Sequence, residues 1–194
     1  MGHIDGMVVQ SSGSKPHVAY IMETLARTFP YCIWKIGGYN DRDTSDGNES
    51  FHATGRACDI YLDATDPLDL RLGDLLFRMF HTEAAALKVH HVIWNRHIWS
   101  RAQGGPRYFS EGNGGAHTNH IHVAFEDPDL TSTPVAFPAM CQRVLEEYAK
   151  GHDGEGDRVD GIYGKAFDPR RPLTRLTLRQ RREIMKAKMG MKGT

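Results

Sequence analysis

Ser50-Phe51-His52-Ala53-Thr54-Gly55-Arg56-Ala57-Cys58-Asp59 and, further along, His117-Thr118-Asn119-His120-Ile121-His122 decide how this chain is read. Residues 56–62 alternate as a strand does: Ala57, Asp59 and Tyr61 share one face, Cys58, Ile60 and Leu62 the other. His120 and His122 likewise share a face, opposite Ile121 and Val123. Each stretch is therefore a strand with one apolar side for a core and one polar side for chemistry. Gly55 permits a tight backbone between His52 and Asp59, and Ala57 is small enough to sit beneath an ion. Imidazole and carboxylate are ligands for a divalent metal such as zinc, and a site with three of them leaves a fourth position for water. If His52, Asp59 and one imidazole of the later stretch bind the metal, two of His117, His120 and His122 remain to take or give a proton.

Outward from this pair, Val18, Met22, Leu25, Ala26 and Phe29 recur at helical spacing over residues 15–29, ended by Pro30. Residues 32–36 read as a strand running into Gly37-Gly38, and the polar stretch 39–50 as a loop. Leu68, Leu72, Leu75, Leu76 and Met79 make the apolar stripe of a helix over 67–87. Residues 91–99 read as a tight hairpin turning at Asn95-Arg96, with Trp94 and Trp99 packed in a core or lining a groove. His90, His91 and His97 read as ordinary polar positions away from the site. The Gly-rich stretch 103–116 is expected as a loop over the site, followed by a strand carrying Ile121, Val123 and Phe125 on one face. Residues 138–150 make a short helix stopped by Gly151, and the acidic, Gly-rich stretch 151–161 a linker. Thr177-x-x-Gln180 resembles a capping box opening a last basic helix. The expected fold class is α+β, a small, mostly antiparallel sheet flanked by helices. Residues 1–130 are the expected catalytic domain and residues 131–194 a helical, basic C-terminal extension.

A chain of 194 residues, 40% hydrophobic, suffices for one substantial domain with an appendage. No run of about eighteen apolar residues is present, so no membrane span is expected. The N-terminus shows no basic stretch followed by an apolar core, so no signal peptide is expected, and the protein would be made in the cytoplasm. Cys32, Cys58 and Cys141 have no ligand-like spacing and read as reduced core thiols, Cys58 facing away from the metal. A formal net charge of +0 hides an asymmetry: residues 165–194 carry ten Lys and Arg against Asp168 and Glu183. Such a tail either packs on the acidic remainder or contacts an anionic polymer; the first fits the self-complementary charge split.

The pattern Ser-x-His-x-x-Gly-x-Ala-x-Asp with a later His-x-His resembles a group of zinc peptidases. The group includes D-alanyl-D-alanine carboxypeptidases, VanX-like dipeptidases and phage L-alanyl-D-glutamate endopeptidases, and shares its fold with the hedgehog signalling domain. Ser50, His52, Gly55, Ala57 and Asp59 all match. Val92-Ile93-Trp94, Ile98-Trp99 and Asn119-His120-Ile121-His122-Val123 look like an actinobacterial and phage branch. The resemblance covers roughly residues 35–126. It implies that His52, Asp59 and His122 bind zinc, that His120 assists catalysis beside the metal, and that His117 is a further active-site histidine. Two departures stand out. Asn40 occupies the place where many relatives have an Arg that stabilises the substrate carbonyl, leaving Arg42 or Arg56 as its substitute. The Glu-x-Trp-His ending of the dipeptidases is absent, which argues against a strict D-Ala-D-Ala dipeptidase.

The implied function is zinc-dependent hydrolysis of peptidoglycan stem-peptide amides next to D-amino acids, by endopeptidase or carboxypeptidase action. Lacking a leader, such an enzyme would reach the cell wall as a phage lysin, a virion-associated wall hydrolase or an injected effector. The alternative is a metal-stabilised, non-catalytic module that binds the cell wall or an anionic polymer. A metal nuclease built on His117-x-Asn119-His120 would leave residues 50–59 unused, so nucleic acid is not an expected partner.

Overall fold

The computed structural model describes residues 2–4, 7–30, 32–41, 49–108, 116–126 and 130–150. In chain order the elements are β1 (Gly2–Ile4), β2 (Met7–Gln10), α1 (Pro16–Thr28), β3 (Lys35–Gly37), β4 (Ala57–Tyr61), α2 (Pro67–Thr82), α3 (Ala84–Leu87), β5 (Val89–Trp94), β6 (His97–Ser100), β7 (Gly104–Tyr108), β8 (His120–Phe125) and α4 (Phe137–Lys150). The strands form one eight-stranded sheet in the order β1-β2-β3-β4-β8-β5-β6-β7. Every neighbouring pair is antiparallel except β2 with β3. The fold is α+β, as the strand and helix patterns of the sequence require.

Residue parity divides the sheet. Val9, Ile36, Ile60 and Ile121 are register partners on successive strands and all are buried. Cys58, Val123, Phe125, Val92 and Trp94 fall on the same side and join one core with Val18, Leu25, Leu72 and Leu76 of α1 and α2. All three cysteines are buried thiols outside any disulfide, with Cys58 in the core as its parity demands. Burial first, then the charge of Asp59, pushes the Cys58 thiol far above its ordinary range, which makes it inert.

Local chemistry sets the ends of the elements. Pro16 and Pro67 open α1 and α2 where a missing N–H costs nothing, and the Asp66 carboxylate caps α2 by accepting from the Leu68 and Asp69 N–H groups. Asn95 and Arg96 both have positive φ, 43° and 64°, the twist a two-residue hairpin needs between β5 and β6. Trp94 lies against the backbone of Gly73, where an added Cβ would meet its ring at 2.3 Å, and its indole N–H donates to Asp74 at 3.0 Å. This indole is core rather than groove; Trp99 packs against the same core beside His81.

Three expectations shift, and two strands arise where none was expected. β1 and β2 extend the sheet before α1, in a stretch whose sequence shows no clear alternation. The strand expected over 32–36 begins at Lys35, because Cys32 and Ile33 fold back under hydrogen bonds to the Phe29 carbonyl. Part of the expected 103–116 loop, Gly104–Tyr108, is the exposed edge strand β7. Residues 137–150, assigned to the extension by sequence, put Phe137, Met140, Cys141, Val144 and Tyr148 into the same core. The acidic linker, the capping box at Thr177 and the basic tail lie outside the described residues, as do Arg42 and most of the loop before Glu49.

Candidate metal centre

His52 is placed by a turn that the Ser-x-His-x-x-Gly pattern encodes. The Ser50 hydroxyl accepts from the His52 N–H at 3.2 Å, while Thr54 donates to the Ser50 carbonyl and Gly55 to the His52 carbonyl. The turn closes at Gly55, with φ +69°, which L side chains rarely adopt. Gly55 also presses on the start of α1: its carbonyl accepts from the Lys15 N–H at 2.9 Å, and an added Cβ would stand 2.4 Å from the Gly13 carbonyl oxygen. His52 is thus fixed from behind and only 5% exposed.

A second glycine orients the ring. The His52 Nδ1–H donates to the Gly38 carbonyl at 2.6 Å. Gly38 reaches that position because nothing but hydrogen fits there: a Cβ would meet the Ser14 hydroxyl at 2.2 Å. With Nδ1 committed as donor, the Nε2 of a neutral ring carries a lone pair into the site.

That lone pair meets two others. Asp59 and His122 are register partners on β4 and β8, on the face away from the helices. Oδ1 of Asp59 lies 3.3 Å from His52 Nε2 and 3.0 Å from His122 Nδ1, and the two nitrogens are 3.2 Å apart. Four ligands at about 2.0–2.1 Å around a tetrahedral ion stand about 3.3 Å from one another, so these three separations are the edges such an ion requires. Two lone-pair nitrogens and a carboxylate oxygen repel without a cation between them. The residues present fit a metal ion, and His52, Asp59 and His122 form the one group among the described residues whose ligand atoms converge in this way.

Burial pushes the Asp59 carboxyl up; in the metal-free protein it is protons on the facing His122 and His52 nitrogens, in place of a metal, that outweigh burial and hold it well below the usual carboxylate range. His120, on the same strand face, turns Nε2 toward Asp59 Oδ1 at 3.8 Å and places Nδ1 2.7 Å from the Asn119 side-chain oxygen. Burial lowers its pKa to about 4, so it is neutral at pH 7. The His117 ring lies 4.7 Å from that of His120 and 6.0 Å from that of His122, held by a backbone at φ 46° whose carbonyl accepts from Asn95 at the hairpin turn. Of the candidates named from the sequence, His52, Asp59, His117, His120 and His122 are therefore brought together.

Arg56 is placed differently. Its guanidinium donates to the Thr54 hydroxyl and the Glu126 carbonyl and sits 4.6 Å over the Phe51 ring. Its contact with the site runs through Phe51, whose ring meets His91, which stacks on His122. Asn40, where the resemblance leads one to expect an arginine, is tied by its N–H to the His52 carbonyl at 3.4 Å.

His91 corrects the sequence reading. It belongs to the site: its ring stacks on His122 at 5.1 Å, and burial holds its pKa down to about 2. Alternation with buried Val92 and Trp94 puts His91 on the working face opposite Ala124, and the β-bulge before it, between Val89 and His91, seats His90 beside it with Nδ1 2.7 Å from the His91 Nδ1. The hairpin at Asn95-Arg96 was visible in sequence, but the bulge against β8 was not. His97, by contrast, is exposed, as expected of an ordinary polar position.

The family described as VldE, C-terminal domain matches residues 10–121, more than half of the chain. The chain belongs to that family. The matched span runs from the end of β2 into β8 and holds His52, Asp59 and His120, stopping one residue short of His122. No curated protein and no solved structure matches the chain.

Proposed function

We propose that this protein is a zinc-dependent peptidase that hydrolyses stem-peptide amides of bacterial peptidoglycan next to D-amino acids. The observation that carries the reading is the triad of 3.0, 3.2 and 3.3 Å edges with a neutral imidazole beside it that is not a ligand. Two nitrogens and one oxygen suit zinc, and three protein ligands leave a position open, the pattern of hydrolytic rather than structural sites. Zinc held there supplies a Lewis acid and makes a water acidic near neutral pH.

The chain's own groups do the rest. His52, oriented by the Gly38 carbonyl, and Asp59 and His122, oriented by their strands, hold the ion. The Asn119 side-chain oxygen accepts from His120 Nδ1–H, so that Nε2 faces the centre and takes a proton there. The same nitrogen returns the proton to the leaving amine. His117, against the His120 ring, is placed to steady the charge that develops. The wall substrate comes from the resemblance of residues 50–59 and 120–122 to the zinc peptidases; the triad itself supports metal hydrolysis.

The test is digestion of purified peptidoglycan with and without chelator, read by mass analysis of the fragments. New amine and carboxyl termini that vanish with chelator, and with His52→Ala, are expected. Unchanged muropeptides alongside salt-sensitive polymer binding would replace the peptidase with the metal-stapled binding module.

A further inference from the structure

The strand register lays a second row of side chains across the face opposite the helices. Gln10, Gly37, Asp59 and His122 are successive partners across β2, β3, β4 and β8, and Ile93, Ile98 and Arg107 continue the row through β5, β6 and β7. A parallel row holds Lys35, Tyr61 and His120. Among the described residues, α1 and α2 give their buried side chains to the other face. A peptide crossing the strands on this face would pass directly over the triad.

The charges of that face are one-sided. Of the strand residues that the register assigns to it, Asp59 is the only acid, and it is a metal ligand; Lys35 and Arg107 are the bases. Lys35 is held in place: its Nζ sits 4.8 Å over the Tyr61 ring, which touches Trp34 at 5.1 Å and His120 at 5.6 Å. A cation on an aromatic face is directed without being neutralised. Among the described residues, no carboxylate pairs with it. Two strand steps separate Lys35 from His120, about 10 Å between backbones, or two to three residues of extended peptide.

We propose that Lys35 is the carboxylate anchor of this sheet face, selecting peptides with a free carboxylate two to three residues from the bond that is cleaved. The assignment rests on the peptidase reading and narrows its substrate class to acidic peptides. A C-terminal carboxylate and an acidic side chain offer the same chemistry to the Lys35 ammonium, and the probes separate them.

Three synthetic peptides suffice: a pentapeptide with one D-glutamate and a D-alanyl-D-alanine end, its C-terminal amide, and its analogue with D-glutamine in place of D-glutamate. Binding to the zinc-loaded full chain is measured by calorimetry, and turnover in parallel. Loss of the anchoring carboxylate should weaken wild-type binding tenfold or more, and the peptide that shows this identifies which carboxylate is read. Lys35→Ala should erase that difference while leaving zinc content and the weaker peptide's affinity unchanged, and Lys35→Arg should restore part of it. Equal weakening of all three peptides by Lys35→Ala, no discrimination by wild type, or no binding of any peptide would overturn the anchor. Turnover without Lys35-dependent discrimination leaves the peptidase reading standing without its anchor. Lys35-dependent discrimination without turnover does the reverse.

Discussion

Replacing Gly55 with alanine asks whether the turn behind His52 is what aims it. Two costs add. The residue sits at φ +69°, a region that costs an L side chain about 1–2 kcal/mol. The new Cβ would stand 2.4 Å from the Gly13 carbonyl oxygen and 3.1 Å from the Lys15 nitrogen, both backbone, so relief requires moving the start of α1 or the turn itself. Overpacking of that kind costs about 1–3 kcal/mol, for a total of about 2–5 kcal/mol. Because Gly55 donates to the His52 carbonyl at 3.0 Å, a displaced turn carries His52 away from Asp59 and weakens zinc binding as well. Gly73→Ala is the control. Its Cβ would strike Trp94 at 2.3 Å in the core, costing about 1–3 kcal/mol through the same overpacking, yet it lies on α2, on the side away from the triad. Urea unfolding of the chelator-treated proteins gives the stability change, and competition with a chromogenic chelator gives zinc affinity at a denaturant-free temperature where both variants are folded. Both variants should lose stability, but only Gly55→Ala should lose zinc affinity, by tenfold or more. A Gly55→Ala protein within 0.5 kcal/mol of wild type, or one that binds zinc equally well, would refute the reasoning.

Asp59→Asn removes the only anionic ligand and should lower zinc affinity at least 100-fold, measured by the same competition; an unchanged affinity would mean that the triad is not the site. His120→Gln should keep full zinc stoichiometry and cut turnover of a stem peptide by about 10²–10⁴-fold, since it removes proton transfer but no ligand. The acid stability of the metal-free protein has a fixed sign. His120 and His91 have folded pKa values, about 4 and about 2, below the ordinary 6.5, and Asp59 is shifted down in the same sense. Unfolding therefore takes up protons, and the stability these groups contribute is whole above about pH 6.5 and falls as the pH drops toward 4 and below. The urea midpoint should be flat from pH 7 to 8 and decline from about 6.5 to 4; a midpoint that rose on acidification would contradict the buried, neutral state of these imidazoles.

Much of the site could be read from the chain because its information is local. Parity along 57–61 and 120–125 alone assigns Asp59, His120 and His122 to one side and Cys58, Ile60 and Ile121 to the other, and the structure keeps that division. The spacing from His52 to Gly55 is a turn signal for the same reason. What stayed hidden depends on partners distant in sequence. Alternation with Val92 and Trp94 turns His91 away from the core, but only the pairing of β5 with β8 sets it against His122. β7 has glycine, proline and charge where a buried strand would alternate, and it is a strand because β6 offers it an edge. Gly38 looked like a strand terminus, yet its carbonyl orients His52, a role visible only once the ring is beside it. The sequence places the helix expected over 138–150 in the C-terminal extension, but its apolar stripe joins the core that α1 and α2 share.

Keeping its helices to one side gives this protein two surfaces that can be altered independently. The core residues that set its melting behaviour, such as Ile60, Ile121 and Phe125, never share a side with Gln10, Ile98 or Arg107. A library randomised at those last three positions would leave the folded scaffold largely untaxed, so altered ligand preferences could accumulate there long before thermal robustness began to erode.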